Sequence, residues 1–170
     1  PNRLGLTMLI AEKERDKYQN MWGFPAYLDH SPGAGYVDMF MAIAKPKLGA
    51  SVIDIGAGSG AASIKLKANG LSVRAFDLTN EAWAHPSIPL QNGTVWRDLH
   101  GIAEYGYCCD MMEHIPTEFV GLTIREILGH CGRAFFSVSF VPDQFGALIG
   151  QQLHLTVRPF VWWRDIFREM

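Results

Sequence analysis

The chain has 170 residues, 48% of them hydrophobic and 19% charged, with a net charge of −2. That balance excludes a disordered or fibrous chain and offers no basic surface, so nucleic acid is not expected as a partner. Three cysteines, two of them adjacent at Cys108 and Cys109, exclude a disulfide framework; they point to reduced thiols and a cytoplasmic protein, and no apolar run is long enough for a membrane span.

One domain is expected over residues 1–170. Its first 48 residues read as a helical lid segment. The stretch from Leu4 to Trp22 has a charged middle, AEKERDKYQ, and reads as a helix. It is broken by GFPAYLDHSPGAG. Ser31 before Pro32 then predicts a new helix start, with Val37, Phe40, Met41 and Ala44 at helical spacing. From Ser51 the rhythm changes. SVIDI reads as a buried strand running into glycines, and AASIKLKAN as a helix stopped at Gly70. LSVRAF, ending at Asp77, is a second strand; TVW is a short third, and YGYCC, ending at Asp110, a fourth. After Pro116, TEFVGLTIREILGH predicts an amphipathic helix with Val120, Ile124, Ile127 and Leu128 inward. RAFFSVSF is a fifth strand, and RPFVWWRDIFREM a last helix opening at Pro159. Strands alternating with helices imply an α/β fold: a parallel sheet covered on both faces, with right-handed crossovers and strand order 3-2-1-4-5.

In such a sheet a ligand binds beyond the carboxyl end of the first strand, where the order reverses. That place is VIDIGAGSGAAS. Gly56, Gly58 and Gly60 let the backbone bend and approach a ligand with no Cβ in the way, and the following helix offers free N–H groups. GAGSGA fits G-x-G-x-G and also the dinucleotide pattern G-x-G-x-x-A, so the glycines alone leave both open. Asp54 weighs against a pyrophosphate, whose negative charge it would repel, and suits a cationic or ammonium-bearing ligand. Asp77, at the end of the second strand, suits a ribose diol, and Asp98 is placed to accept a bond from an adenine amino group. An adenosyl body with a cationic, amino-acid-like end describes S-adenosylmethionine.

VIDIGAGSG, VRAFDLT, RDLH and CCDMMEHIP, in that order and each after a predicted strand, resemble the class I S-adenosylmethionine-dependent methyltransferases. The last is similar to the D-x-L-E-H-x-P of the small-molecule, methyltransferase-11-like branch. The resemblance runs from about Tyr18 onward. It implies a Rossmann-like, doubly wound, mostly parallel sheet. It places Asp54, Gly56, Ala57 and Gly58 along the methionine part, and Asp77 and Leu78 at the ribose and one adenine face. Asp98 and Leu99 would flank the adenine, and Asp110 and Met111 would floor the sulfonium, with S-adenosylhomocysteine as product. No metal ligand set is assigned.

Methyl transfer to a hydroxyl calls for a base, and His114 and His154 are the candidates; the expected acceptor is a small molecule, methylated at oxygen. The sequence lacks the [DNS]-P-P-[YFW] of base-amino methyltransferases, and Cys108 and Cys109 read as buried, inert thiols. Tyr18, Trp22, Phe24, Tyr27, Trp162 and Trp163 are candidate aromatic pocket residues, with YQNMWGFPAY the stronger lid candidate. A cofactor-binding relative without transfer activity, and a nicotinamide-dependent oxidoreductase, are the competing readings. Members of the resembled family carry a further antiparallel hairpin that is absent up to Met170. Further chain or a second copy in a homo-oligomer is therefore expected to cover the fifth strand's edge.

Overall fold

The computed structural model describes residues 3–170. Pro1 and Asn2, at the head of the expected lid segment, lie outside the described residues. The elements run α1 (Arg3–Met21), α2 (Pro25–Leu28), α3 (Val37–Ala44), β1 (Ser51–Ile55), α4 (Ala61–Ala68), β2 (Ser72–Asp77), β3 (Leu90–Asn92), α5 (Val95–Asp98), β4 (Ala103–Cys109), α6 (Val120–His130), β5 (Cys131–Ser137) and α7 (Phe160–Arg168). The five strands form one parallel sheet in the order β3-β2-β1-β4-β5, as expected.

Strand β1 lies at the centre because both its faces are apolar and buried: Val52 packs with one cluster of core residues, and Ile53 and Ile55 with another. The second cluster also holds Ile124, Ile127 and Trp163, so α6 and α7 cover that face. Val37, Phe40 and Leu66 cover the other, from α3 and α4. Tyr107 of β4 reaches from the sheet to donate a hydrogen bond to the Gly33 carbonyl at 2.5 Å. This ties the segment leading from the lid down to the core. All three cysteines are buried and free, and burial raises their thiol pKa values, which makes them packing residues.

Four expectations need correcting. The third strand is Leu90–Asn92 and not TVW, which instead opens α5. The β-branched and aromatic residues suggested a strand, but Asp98 reaches back to bond the Thr94 amide and hydroxyl and closes a helical turn there. Leu128 is 40% exposed, because the i, i+4, i+7 stripe of Val120, Ile124 and Ile127 sets the inward face and Leu128 falls beyond it. Ser31 makes no side-chain cap; the chain there enters a 3-10 turn, Pro32–Tyr36, before α3. Neither Trp162 nor Trp163 lines the ligand cavity: Trp163 is buried in the core and Trp162 packs against it.

Among the described residues β5 has a neighbour on one side only, and no helix is long and apolar enough to cross a membrane. The stability of the sheet's α6 face is concentrated in its fully buried stripe. Ile124→Ala is therefore expected to cost about 2–5 kcal/mol, read as a lower urea midpoint at unchanged slope.

Candidate functional site

A cavity of about 440 Å³ opens at the carboxyl ends of β1, β2 and β4, where the strand order reverses. Its floor is the β1–α4 bend. One wall is α1 and α2, and another is the stretch from Ser139 to His154 after β5.

The bend is built on left-handed backbone. Gly56 has φ 78° and Gly58 φ 53°, values that disfavour any side chain. Space forbids one as well. A Cβ on Gly56 would lie 2.8 Å from Met111 Cβ, and one on Gly58 would lie 3.0 Å from the indole of Trp22. Asp77 pins the bend: its Oδ2 accepts from the Gly58 amide at 2.8 Å and its Oδ1 from the Thr79 amide at 3.1 Å. The Leu78 amide bonds the same carboxylate. Burial raises the Asp77 pKa, and the amides work against that rise.

Asp54, 3% exposed, accepts from the Ser63 hydroxyl at 2.6 Å. Desolvation pushes its pKa up to about 7, against the pull of the Ser63 bonds. Asp110 lies at the end of β4 in left-handed backbone, φ 55°, with its amide bonded to the Ser137 carbonyl at 2.9 Å.

Across the cavity the two histidines have different surroundings. His114 Nδ1 lies 2.5 Å from the Tyr18 hydroxyl, and the ring also bonds the Leu153 backbone. Burial keeps the Tyr18 phenol protonated by raising its pKa, so Tyr18 donates. Burial, helped by the nearby Lys17 charge, holds His114 down at about 3. His154 packs edge-on to His114 at 4.7 Å between centroids. Its Nδ1 lies 2.6 Å from the Val141 carbonyl, which can only accept, so Nδ1 carries the proton and Nε2 the lone pair of the neutral ring.

Asp143 shapes the loop that presents His154. It accepts from the amides of Gly146 (2.6 Å), Leu153 (2.9 Å) and His154 (3.1 Å). Glu113 is fully buried and accepts from the Ser139 amide at 2.8 Å; burial, then the nearby Asp110 charge, raises its pKa. Glu113, His114 and His154 bring potential metal-ligand atoms within 4.8 Å of one another. The protein's own hydrogen bonds already engage His114 Nδ1 and His154 Nδ1.

The expected residues therefore divide. Asp54, Gly56, Ala57, Gly58, Asp77, Leu78, Asp110, Met111, His114 and His154 line the cavity together, as do Tyr18, Trp22 and Tyr27 of the N-terminal segment. Gly60, Asp98 and Leu99 do not. Gly60 sits in left-handed backbone beneath Trp83, Leu99 is core, and the Asp98 carboxylate is bound to Thr94 and Arg97, which lowers its pKa to about 2. The wall assigned to Asp98 and Leu99 is formed by Gly93, Thr94, Val95 and Trp96. The Asn92-Gly93 turn signal is the clue to it. Asp143 and Phe145 also line the cavity, with no motif to announce them.

No family model matches the sequence, and no curated protein matches it. The fold does have solved counterparts. One is magnesium protoporphyrin IX methyltransferase from Synechocystis PCC 6803 with bound S-adenosylhomocysteine (SAH): TM-score 0.63, 20% identity, covering 91% of this chain and 82% of that one. Another is 1,6-didemethyltoxoflavin-N1-methyltransferase from Burkholderia thailandensis, with TM-score 0.59, 17% identity, and coverage of 81% of this chain and 64% of that one. At such identities the likeness is one of fold.

The Asp54 pKa has a consequence for stability. Its value in the fold, about 7, is raised from an ordinary 3.8, so the stabilisation it contributes is complete below pH 3.8 and is lost as pH rises through 7. Stability of the free protein should fall across that window by up to a few kcal/mol, at about 1.4 kcal/mol per pH unit. Asp54→Asn should flatten the fall, measured as denaturant midpoints across the same window.

Proposed function

We propose that this chain is a class I S-adenosylmethionine-dependent methyltransferase that methylates a small-molecule acceptor at oxygen. One observation carries the reading. Three carboxylates, Asp54, Asp77 and Asp110, line one cavity around a glycine bend, and no lysine or arginine among the described residues lines it with them. A dinucleotide's pyrophosphate would find no counter-charge there, whereas a sulfonium with an ammonium group would. The site fits that donor in its details. With three amides already on Asp77, its carboxylate keeps acceptor capacity for a ribose hydroxyl. The fold counterpart holding S-adenosylhomocysteine supports the same assignment. Three buried free thiols agree with a reducing compartment such as the cytoplasm.

When bound, S-adenosylmethionine supplies an electrophilic methyl group, so the protein's task is alignment and proton removal. We assign the base to His154, whose Nε2 is free to accept, and not to His114. His114, with a pKa of about 3 and its Nδ1 bonded to the Tyr18 hydroxyl, orients Tyr18. With the donor's methyl group supplied in this way, His154 Nε2 would take the acceptor's hydroxyl proton.

Calorimetry should show binding of S-adenosylmethionine and S-adenosylhomocysteine and none of NAD; tight NAD binding would overturn the assignment. Asp77→Ala should weaken S-adenosylmethionine by roughly 1.5–3 kcal/mol, the range for hydrogen bonds to a charged group. Because Asp54 ionises near pH 7 in the free protein, affinity for this cation should rise with pH and level off above about 7. His154→Gln should lower turnover by about 10²–10⁴-fold at unchanged cofactor affinity, measured as SAH release; a cofactor-binding module without transfer would release none in either form.

A further inference from the structure

The acceptor side of the cavity carries a charge pattern that the donor side does not require. Glu14 and Asp143 line it, again with no lysine or arginine among the described lining residues. The nearest buried cation, Lys17, is already used: its ammonium pairs with Glu14 and donates to the Gln152 carbonyl at 3.1 Å. The three amides bonded to Asp143 outweigh its burial and lower its pKa, so it stays ionised. A carboxylate or phosphate on the acceptor would shed water beside that fixed negative charge with no free cation to meet it.

Rings from two separate segments join on the same side. Trp22 and Tyr27 of the lid lie 4.8 Å apart, Tyr27 and Phe145 5.5 Å, and His30 and Phe145 5.0 Å, centroid to centroid. All four line the cavity. Such a wall suits a flat ring and also attracts an ammonium group. His154 adds a requirement on the hydroxyl, since an imidazole takes a proton far more readily from a phenol, with a pKa near 10, than from an aliphatic alcohol.

We propose that the acceptor is a phenol on a flat ring, uncharged or carrying an ammonium group, and that anionic acceptors are refused. The inference rests on the methyltransferase reading. Three probes test it: tyramine, 4-ethylphenol and 4-hydroxyphenylacetate share a ring and differ in the charge of the side chain. Dissociation constants are read by ligand-observed NMR on the full chain saturated with S-adenosylhomocysteine, and turnover by SAH release from S-adenosylmethionine. Tyramine and 4-ethylphenol should bind at least tenfold more tightly than 4-hydroxyphenylacetate and alone be turned over. Val141→Lys, which puts a cation on a lining residue 62% exposed, should narrow or reverse that ratio. Phe145→Ala should weaken tyramine at least tenfold with SAH affinity within twofold of the parent. Equal or tighter binding of the anion, or binding of none of the three by protein that holds S-adenosylhomocysteine, overturns the inference. Failure to bind S-adenosylhomocysteine would instead bring down the methyltransferase reading.

Discussion

The Gly58 amide donates 2.8 Å to the Asp77 carboxylate, and the rest of the site depends on that bond. It ties the bend after β1 to the end of β2 and holds the glycines in left-handed backbone that they alone adopt cheaply. With the bend so held, Met111 comes in over Gly56 from the end of β4, and Trp22 over Gly58 from the lid. Three parts of the chain distant in sequence thus meet on backbone with no side chain. The resulting cavity is narrow, largely apolar in its walls and edged by carboxylates. A single methyl group on either glycine would displace an indole or a methionine.

A second set of bonds joins α1 to the loop after β5. Tyr18 donates to His114, His114 packs edge-on to His154, and His154 is held by Val141 and, through its amide, by Asp143. The two histidines look alike in sequence, yet their surroundings separate them. One has its Nδ1 bonded to Tyr18 and its pKa held down at about 3 by burial; the other bonds Val141 through Nδ1, which leaves its Nε2 as the acceptor of the neutral ring. Accepting a proton needs the second kind, and holding Tyr18 in place is suited to the first. Any substitution at Tyr18 therefore changes a cavity wall and the histidine pair together.

Much of this is legible in the sequence because it follows from local chemistry. The strand at Ser51–Ile55, the glycine bend, and the acids at Asp54, Asp77 and Asp110 are written in short runs whose meaning does not depend on distant residues. The 93–96 wall departs from expectation for a reason of the same kind. Thr94, Val95 and Trp96 have strand propensities, and only the Asp98 carboxylate turning back on Thr94 makes them helical. That bond also removes Asp98 from the site, since a carboxylate committed to Thr94 and Arg97 has little left for an adenine. Asp143 and Phe145 are not legible because nothing nearby in sequence distinguishes them from ordinary loop residues.

By itself, then, the sequence determined the alternation of strands and helices, hence the 3-2-1-4-5 sheet, and the carboxylate-flanked bend at its switch point. Periodicity and backbone preference act over a few residues, so they survive in one dimension. Tertiary structure alone decided which histidine keeps a free nitrogen, which acid leaves the site, and how lid and loop aromatics join into one wall. Those outcomes rest on contacts between residues far apart in the chain, Tyr18 with His114 and Tyr27 with Phe145 among them. Burial and hydrogen-bond partners come into being only when the chain has closed on itself, and they set the protonation on which the chemistry turns.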